Sequence, residues 1–422
     1  MTFTTDHLRH GLASLPAVDS YIAGFSGGVD STCLLHALAL AIDPARLRAI
    51  HINHSLHEDA ADWADHCGDV CARLGVDCEV VIVDARPNPG ESPEQAARRA
   101  RYAAFEQRCE SDCALLTAHN QDDQAETLLL QLLRGAGVAG LAAMSAARRF
   151  GAGWHCRPLL SFRRAELVAY AQECGLSWIE DPGNRDESLS RNFLRHTVMP
   201  TLERHWPAAT QTLARSAGLA AEALELVEAL AEKDLSTAGG SRTRTLSTRA
   251  LRKLSPARQR NVLRSWISRM GLPAPSQAHL QRVTKDLLES RSDATPCVSW
   301  PGAELRRYRD DIHALSGLAA HDPSQTLAWD GKTELPIEHL GVKLDAHTLS
   351  ALGVPAALPP GGMFSVRFRR GGERCRPRGR AHHADLKGLF QEAGVPPWLR
   401  DRIPLVYRDE RLIAVVGYWA CD

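Results

Sequence analysis

No C-x-x-C occurs among the eleven cysteines of this chain. That absence argues against a zinc ribbon, a redox dithiol and a simple iron–sulfur site. The closest pairs, Cys67–Cys71 and Cys109–Cys113, are each four apart, and reduced thiols are the expectation. No apolar run reaches membrane-spanning length and no basic, apolar leader opens the sequence. No membrane partner is therefore expected, and a cytoplasmic location is the default. Net charge is zero, from 50 basic and 50 acidic residues. That excludes a uniformly basic coat for nucleic acid and leaves local patches to carry any such role. Neither G-x-G-x-x-G nor G-x-x-x-x-G-K-[ST] follows a strand, so both common nucleotide fingerprints are missing. No internal repeat stands out.

What is present is a different glycine turn. Ser26-Gly27-Gly28-Val29-Asp30-Ser31-Thr32 lies between the apolar run Tyr21–Phe25 and a helical stretch. Two glycines permit a tight turn, and the start of a helix offers unpaired N–H groups to an anion. Ser26, Ser31 and Thr32 add hydroxyls. A carboxylate such as Asp30 beside phosphates is repulsive unless Mg²⁺ lies between them.

The first 200 residues alternate strands and helices. Strands are expected at 21–25, 47–53, 77–83 and 113–117, and helices at 31–40, 59–74, 93–108 and 121–133. This βαβα order predicts an α/β fold, a parallel sheet with helices on both faces, with ligands beyond the C-terminal strand ends. A Leu/Ala-rich stretch from 213 to 231, with helices at 249–270 and 277–288, suggests a small helical domain. An α+β C-terminal domain follows, with β-rich runs at 364–368 and 412–417. The expected division is 1–207, 208–345 and 346–422, the segment 300–345 being short-segmented.

Four polar strings fall at expected strand ends or on the helices that follow. His119-Asn120-Gln121-Asp122-Asp123-Gln124-Ala125-Glu126 opens the helix after the 113–117 strand. Capping alone explains the acids but not His119, Asn120 and two Gln; Mg²⁺ with a nucleotide does. Asp30, Asp122 and Asp123 are the expected metal ligands. Histidines 51, 54 and 57 do not converge on a strand, so a pocket wall is expected, with His54 near an adenosine. Glu94, Arg98 and Arg101 share a helix face, where a guanidinium can clamp phosphate or orient a substrate. Arg191 and Arg195 follow the turn Trp178–Asn184 and are expected at the rim, against polynucleotide phosphates. Residues 367–380 hold seven arginines against one acid, Glu373. Arg367, Arg369, Arg374 and Arg376 are expected to touch RNA backbone, with steep salt dependence.

The glycine turn resembles the PP-loop of the N-type ATP pyrophosphatases. FSGGVDST, HINHSLH, EQAARRARY, HNQDDQAETLLLQLLRG, RPLLSFRR and WIEDPGNRDESLSRNFLRHTVMP together resemble one family, the tRNA(Ile)-lysidine synthetases, in its longer three-domain form. LRKLSPARQRNVLRSWI, VRFRRGGERCRPRGR and LKGLFQEAGVPPWLRDRIPLV extend the likeness over nearly the whole chain. The resemblance implies a ligase that joins free L-lysine to C2 of the wobble cytidine in an isoleucine tRNA with a CAU anticodon. ATP would first adenylate the cytidine oxygen, releasing pyrophosphate, and AMP would then leave. On this reading residues 26–32, His54 and His119 contact ATP. Asp30, Asp123, Glu126 and Arg98 carry the chemistry, and the assignment of Asp123 and Glu126 between metal, lysine ammonium and base stays open. Glu94, Arg101, Arg191 and Arg195 contact substrate or tRNA. The oligomeric state is open, a homodimer included. A PP-loop thiolase, an amidotransferase and a catalytically dead RNA-binding module are the rivals. The first lacks its cysteine pairs, the second its glutaminase, and the third would not need Asp30 with Asp122 and Asp123.

Overall fold

The computed structural model describes residues 3–55, 57–291, 294–354 and 363–422. Leu56 of the histidine string and residues 355–362 of the expected third domain lie outside them. The chain divides into two compact units, Met1–Val227 and Glu228–Asp422.

The first unit is the α/β fold expected. Its elements are α1 (Thr5–Ala13), β1 (Ser20–Gly24), α2 (Val29–Ala41), β2 (Leu47–Asn53), α3 (Ala60–Leu74), β3 (Asp77–Ile82), α4 (Pro93–Glu106), β4 (Cys113–Leu116) and α5 (Gln121–Leu133). A one-turn α6 (Val138–Leu141), β5 (Ala147–Phe150), β6 (Gly153–Cys156) and α7 (Arg164–Glu173) follow. Then come α8 (Ser190–Phe193), a π-helical turn at Leu194–Val198, α9 (Met199–His205) and α10 (Ala209–Thr237). The strand order is β3-β2-β1-β4-β6-β5, all parallel except the β5/β6 hairpin.

Alternation along the strands divides the core. Ala23, Ala49, Ala114 and Leu116 pack with α1, α2, α3 and α7. Ile22, Ile50, Ile52 and Leu115 face the other way, toward Ala104 and Phe105 of α4. β1 sits at the point where strand order reverses, flanked by β2 and β4. The crevice beyond the C-terminal ends of β1 and β4 is the topological switch point where such sheets bind ligands.

The second unit has two parts. α11 (Thr248–Arg252), α12 (Pro256–Arg269) and α13 (Gln277–Arg282) pack on an antiparallel sheet, β7-β10-β9-β8, formed by Leu246–Ser247, Asp311–Leu315, Ala303–Tyr308 and Cys297–Trp300. The expected helical domain therefore carries a sheet as well; Ala303–Tyr308 is buried along most of its length with Glu304 and Arg307 inside, so no apolar alternation marked it. The expected single helix at 249–270 is broken where Ser255–Pro256 starts a new one. The last part is a five-stranded sheet of Thr326–Trp329, Phe364–Arg367, Leu405–Arg408, Arg411–Val415 and Trp419–Ala420, neighbours in that order. One face carries Val406 and Ile413; the other packs Leu405 and Val415 against Leu389 and Phe390. Cys375 and Cys421 form a disulfide with Cα atoms 5.4 Å apart, so reduced thiols were expected at two positions where a bridge stands. The other nine cysteines are free.

Candidate active site

The turn after β1 is shaped for an anion. Gly27 takes φ +81°, which few side chains tolerate. Gly28 N-caps α2 without any side-chain cap, so the first N–H groups of that helix are not closed off by a neighbour. Ser31 Oγ donates to the Gly28 carbonyl at 2.9 Å and lies 3.0 Å from Ser26 Oγ, pinning the loop to the helix it precedes. Thr32 is buried and its hydroxyl is spent on the Gly28 carbonyl at 3.0 Å, which makes it a brace for the loop. The turn near residue 179 covers the loop: Ile179 N donates to Gly27 O at 2.8 Å. Asp181 accepts from Gly183 N at 2.8 Å and so starts the turn at 182–185, from which Asn192 hangs α8.

Asp30 stands in the first turn of α2. Burial pushes its carboxyl up to about 6; Arg164, 3.6 Å away, opposes this and the charge of Asp123 adds to it. Among the described residues its Oδ1 is buried without a hydrogen-bond partner. A buried, unsatisfied carboxylate oxygen costs free energy unless a ligand meets it.

Beyond β4, α5 starts where it does because Asn120 and Asp123 cap each other, N–H to carboxamide and N–H to carboxylate, both at 3.0 Å. The other Asp123 oxygen accepts from Arg191 and Arg195 at 2.9 Å each. Glu126, 2% exposed, accepts from Arg191 Nε at 2.8 Å and Arg195 Nε at 2.7 Å. Burial would raise Asp123, but the guanidinium of Arg191, then that of Arg195, hold it below the usual carboxylate range. Arg191 and Arg195 were expected at the rim. They are turned inward instead, because two carboxylates this buried need cations. The π-helical turn at 194–198, a widening often found at functional sites, lies between α8 and α9 and carries Arg195.

Asp122 departs from expectation. It accepts from the backbone N–H of Arg164 at 2.8 Å and lies 3.4 Å from the Arg163 guanidinium. Its carboxylate is thus committed to the start of α7, and among the described residues no group of three acids, histidines or cysteines could hold a metal. Asp30 offers an oxygen without a partner among the described residues, whereas both Asp123 oxygens are taken by Asn120, Arg191 and Arg195, so Asp123 would join a metal only by releasing a guanidinium. A hard carboxylate oxygen fits Mg²⁺, which ordinarily takes one or two carboxylates and completes its shell with water and substrate phosphates.

The three histidines do not converge. His51 is buried with Nδ1 3.0 Å from Phe25 O. His57 stacks on Trp63 at 4.8 Å. His54 Nε2 accepts from Arg101 Nε at 3.3 Å, while burial and then Arg101 push the ring down to about 4. A neutral His54 that accepts through Nε2 carries hydrogen on Nδ1, and among the described residues Nδ1 is buried without a partner. Arg98 lies over the Tyr102 ring at 4.9 Å, and Glu94 makes no ion pair with it among the described residues. Ser92 and Gln95 box the start of α4.

In the second unit the arginine run is largely neutralised at home. Arg367 meets Glu410 at 2.7 Å, Arg374 meets Asp385 at 3.6 Å, Arg378 meets Asp422 at 3.5 Å and Arg369 lies 3.9 Å from Glu373. The lopsided count along the sequence is balanced by acids distant in the chain. Arg376 keeps a buried Nε without a partner among the described residues.

Three family models match the chain. A PP-loop domain covers residues 6–202, a TilS substrate binding domain 246–313 and a TilS substrate C-terminal domain 364–422. A tRNA(Ile)-lysidine synthase of Methylococcus capsulatus is 45% identical over 420 residues, 99% of this chain and 95% of that protein. Those of Coxiella burnetii and Alkalilimnicola ehrlichii are 41% and 44% identical and are covered over 93% and 92% of their length. The chain belongs to the tRNA(Ile)-lysidine synthase family. It is a ligase built on a PP-loop ATP pyrophosphatase domain. Among solved structures, a U34-tRNA thiolase of Methanococcus maripaludis aligns at TM-score 0.42 and 19% identity, over 50% of this chain and 76% of that one.

Several site residues of this family member escaped the sequence. Arg164 beside Asp30, Arg163 beside Asp122, and the buried set Thr117, His155 and Arg157 carry no local motif. Only the RPLLSFRR block hinted at Arg157, Arg163 and Arg164. The thiols near the loop are inert: burial, with the charge of Asp30, pushes Cys33 up to about 12, and burial pushes Cys67 to about 12.

Proposed function

We propose that this chain attaches L-lysine to C2 of the wobble cytidine in a CAU-anticodon isoleucine tRNA, splitting ATP to AMP and pyrophosphate. What carries the reading is the meeting, at the β1/β4 switch point, of an uncapped helix start with two carboxylates, in a chain 45% identical to a named synthase.

The cytidine C2 oxygen is a poor leaving group. Its attack on the α-phosphate forms an O–P bond, breaks the bond to the β-phosphate and releases pyrophosphate. The lysine Nε then bonds to C2, the C2–O bond breaks, AMP departs with that oxygen, and the amine sheds a proton.

Residues 26–32 hold the phosphates through backbone N–H groups and the Ser26 hydroxyl. Asp30 and Asp123 would hold Mg²⁺, which when bound offsets the negative charge of the phosphates. His54 offers its free Nδ1–H to the nucleoside. Arg98 and Arg101 orient the cytidine or its phosphate. The lysine ammonium docks at Glu126, where the neighbouring Arg191 and Arg195 disfavour its charge. That lowers its pKa from about 10.4 toward neutrality and yields the amine the reaction needs.

Residues 1–207 are taken as catalytic, 208–345 as tRNA-binding and linking and 346–422 as tRNA-binding, with Arg369, Arg374 and Arg376 on RNA backbone. The inert Cys33 and Cys67 favour ligation over sulfur transfer. The test is incubation with CAU tRNA, ATP, Mg²⁺ and labelled lysine. Label that stays on RNA through mild base supports the proposal; thiolation without lysine retention overturns it.

A further inference from the structure

A buried chain of polar side chains runs from β6 to the loop before α5. Arg157 Nη2 lies 3.1 Å from His155 Nδ1, His155 Nε2 lies 2.8 Å from Thr117 Oγ1, and Thr117 Oγ1 lies 2.8 Å from His119 Nδ1. His155 is 0% exposed and Arg157 5%. The rings of Tyr102 and Phe150 stand 5.5 and 5.7 Å from His155 and shield it. Arg157 is itself held, its Nη1 donating to Ser145 O at 2.7 Å.

Directions along this chain are fixed by chemistry. A guanidinium only donates, so His155 Nδ1 must accept. A neutral imidazole has one donor and one acceptor, so His155 Nε2–H donates to Thr117 Oγ1. The Thr117 hydroxyl has no third partner among the described residues, so its hydrogen goes to His119 Nδ1. The His119 proton is left on Nε2. Both rings are neutral: burial, with Arg157 adding, pushes His155 down to about 2, and burial pushes His119 down to about 3 against the pull of Asp123.

We propose that Arg157, His155 and Thr117 are positioning residues that lock His119 in one tautomer, with Nε2–H as a fixed donor to an anionic oxygen of the bound nucleotide. The nucleotide half of this inference rests on the function proposed above; the tautomer half does not. A fixed donor needs no reorientation when charge develops, which is where such groups act most strongly. A free imidazole would divide its time between two tautomers and offer the wrong one part of the time.

The test has two independent readouts. Ring ¹⁵N shifts of histidine-labelled protein, with the His119 signals identified by their loss in His119→Gln, should show Nε2–H in the parent chain. Thr117→Val should mix the tautomers and lower the rate of tRNA-dependent pyrophosphate release by about 10–100-fold. Thr117→Ser, which keeps the hydroxyl, should stay within about threefold of the parent, and Thr117→Val should cost nothing further in a His119→Gln background. Hydrogen on Nδ1 in the parent, or additive losses in the double variant, would overturn the inference. Should Thr117→Val fail to fold, the parent spectrum and Thr117→Ser still decide it. A parent that releases no pyrophosphate defeats the functional reading, while the spectrum still judges the tautomer.

Discussion

Arg195 grips Glu126 through two nitrogens, Nε to Oε1 at 2.7 Å and Nη2 to Oε2 at 3.1 Å. Arg191 reaches the same carboxylate from the preceding helical turn. Glu126 is therefore the keystone of a four-residue charge network with Asp123. Glu126→Gln leaves two guanidiniums short of charge. Because both arginine side chains are about a quarter exposed, water screens part of the loss, and a cost of about 2–3 kcal/mol is expected. Urea unfolding checks it, and an unchanged midpoint would show that the network contributes nothing to stability. Lysine incorporation should fall at least tenfold in the same variant.

Asp30 is held at a cost to the fold. Its folded pKa of about 6 exceeds the ordinary 3.8, so the native state retains a proton that the unfolded chain gives up between those values. Stability therefore falls as pH rises through that window. Asp30→Asn removes the cost. The variant should be more stable than the parent above pH 6, on the order of 1–3 kcal/mol, with the gain gone below pH 4. It should also release no pyrophosphate. Thermal melts across pH read the first effect; a variant less stable than the parent at pH 7.5 would contradict it.

Gly27→Ala meets two obstacles. The new Cβ would sit 2.5 Å from Ile179 Cδ1 and 3.0 Å from Cys67 Sγ, and φ is +81°. The Ile179 tip can swing away; the backbone cannot. Adding Ile179→Ala should thus restore only part of the loss, leaving about 1–2 kcal/mol of strain and a raised KM for ATP. Full recovery in the double variant would place the whole penalty in packing.

Of the three arginines expected on RNA that also pair with a carboxylate, Arg367, Arg369 and Arg374, the last has the most exposed side chain, at 63%. Arg374→Ala should weaken tRNA binding across sequences and lower the slope of log affinity against log salt by about one. The total slope should fall short of seven, because Arg367, Arg369 and Arg378 are already near carboxylates. Filter binding at several salt concentrations settles it.

The α/β order and the switch point were legible because period-two and period-3.6 patterns alternate cleanly before residue 133. β5 and β6 were missed; Ala-Arg-Arg-Phe and Gly-Trp-His-Cys lack the apolar run that marks β4, which is equally short. The site was legible where chemistry is local: residues 26–32 and 119–126 each form one string. It was not legible where partners meet across the fold. Nothing in the sequence ties Arg191 to Glu126, 65 positions earlier, or Arg164 to Asp30. Asp122 was misjudged for the same reason, since its neighbour in sequence is Asp123 but its partners are Arg163 and Arg164. The arginine run misled by its local count, with Glu410 and Asp422 folding back onto it.

The central claim is that one corner of the first unit cuts ATP between its α and β phosphates. ATP labelled at the γ position, incubated with the full chain, CAU tRNA, Mg²⁺ and lysine, reads this directly. All released label should appear as pyrophosphate, one per AMP and one per lysine fixed on RNA, and none in Asp30→Asn. Label released as orthophosphate with ADP would contradict the account.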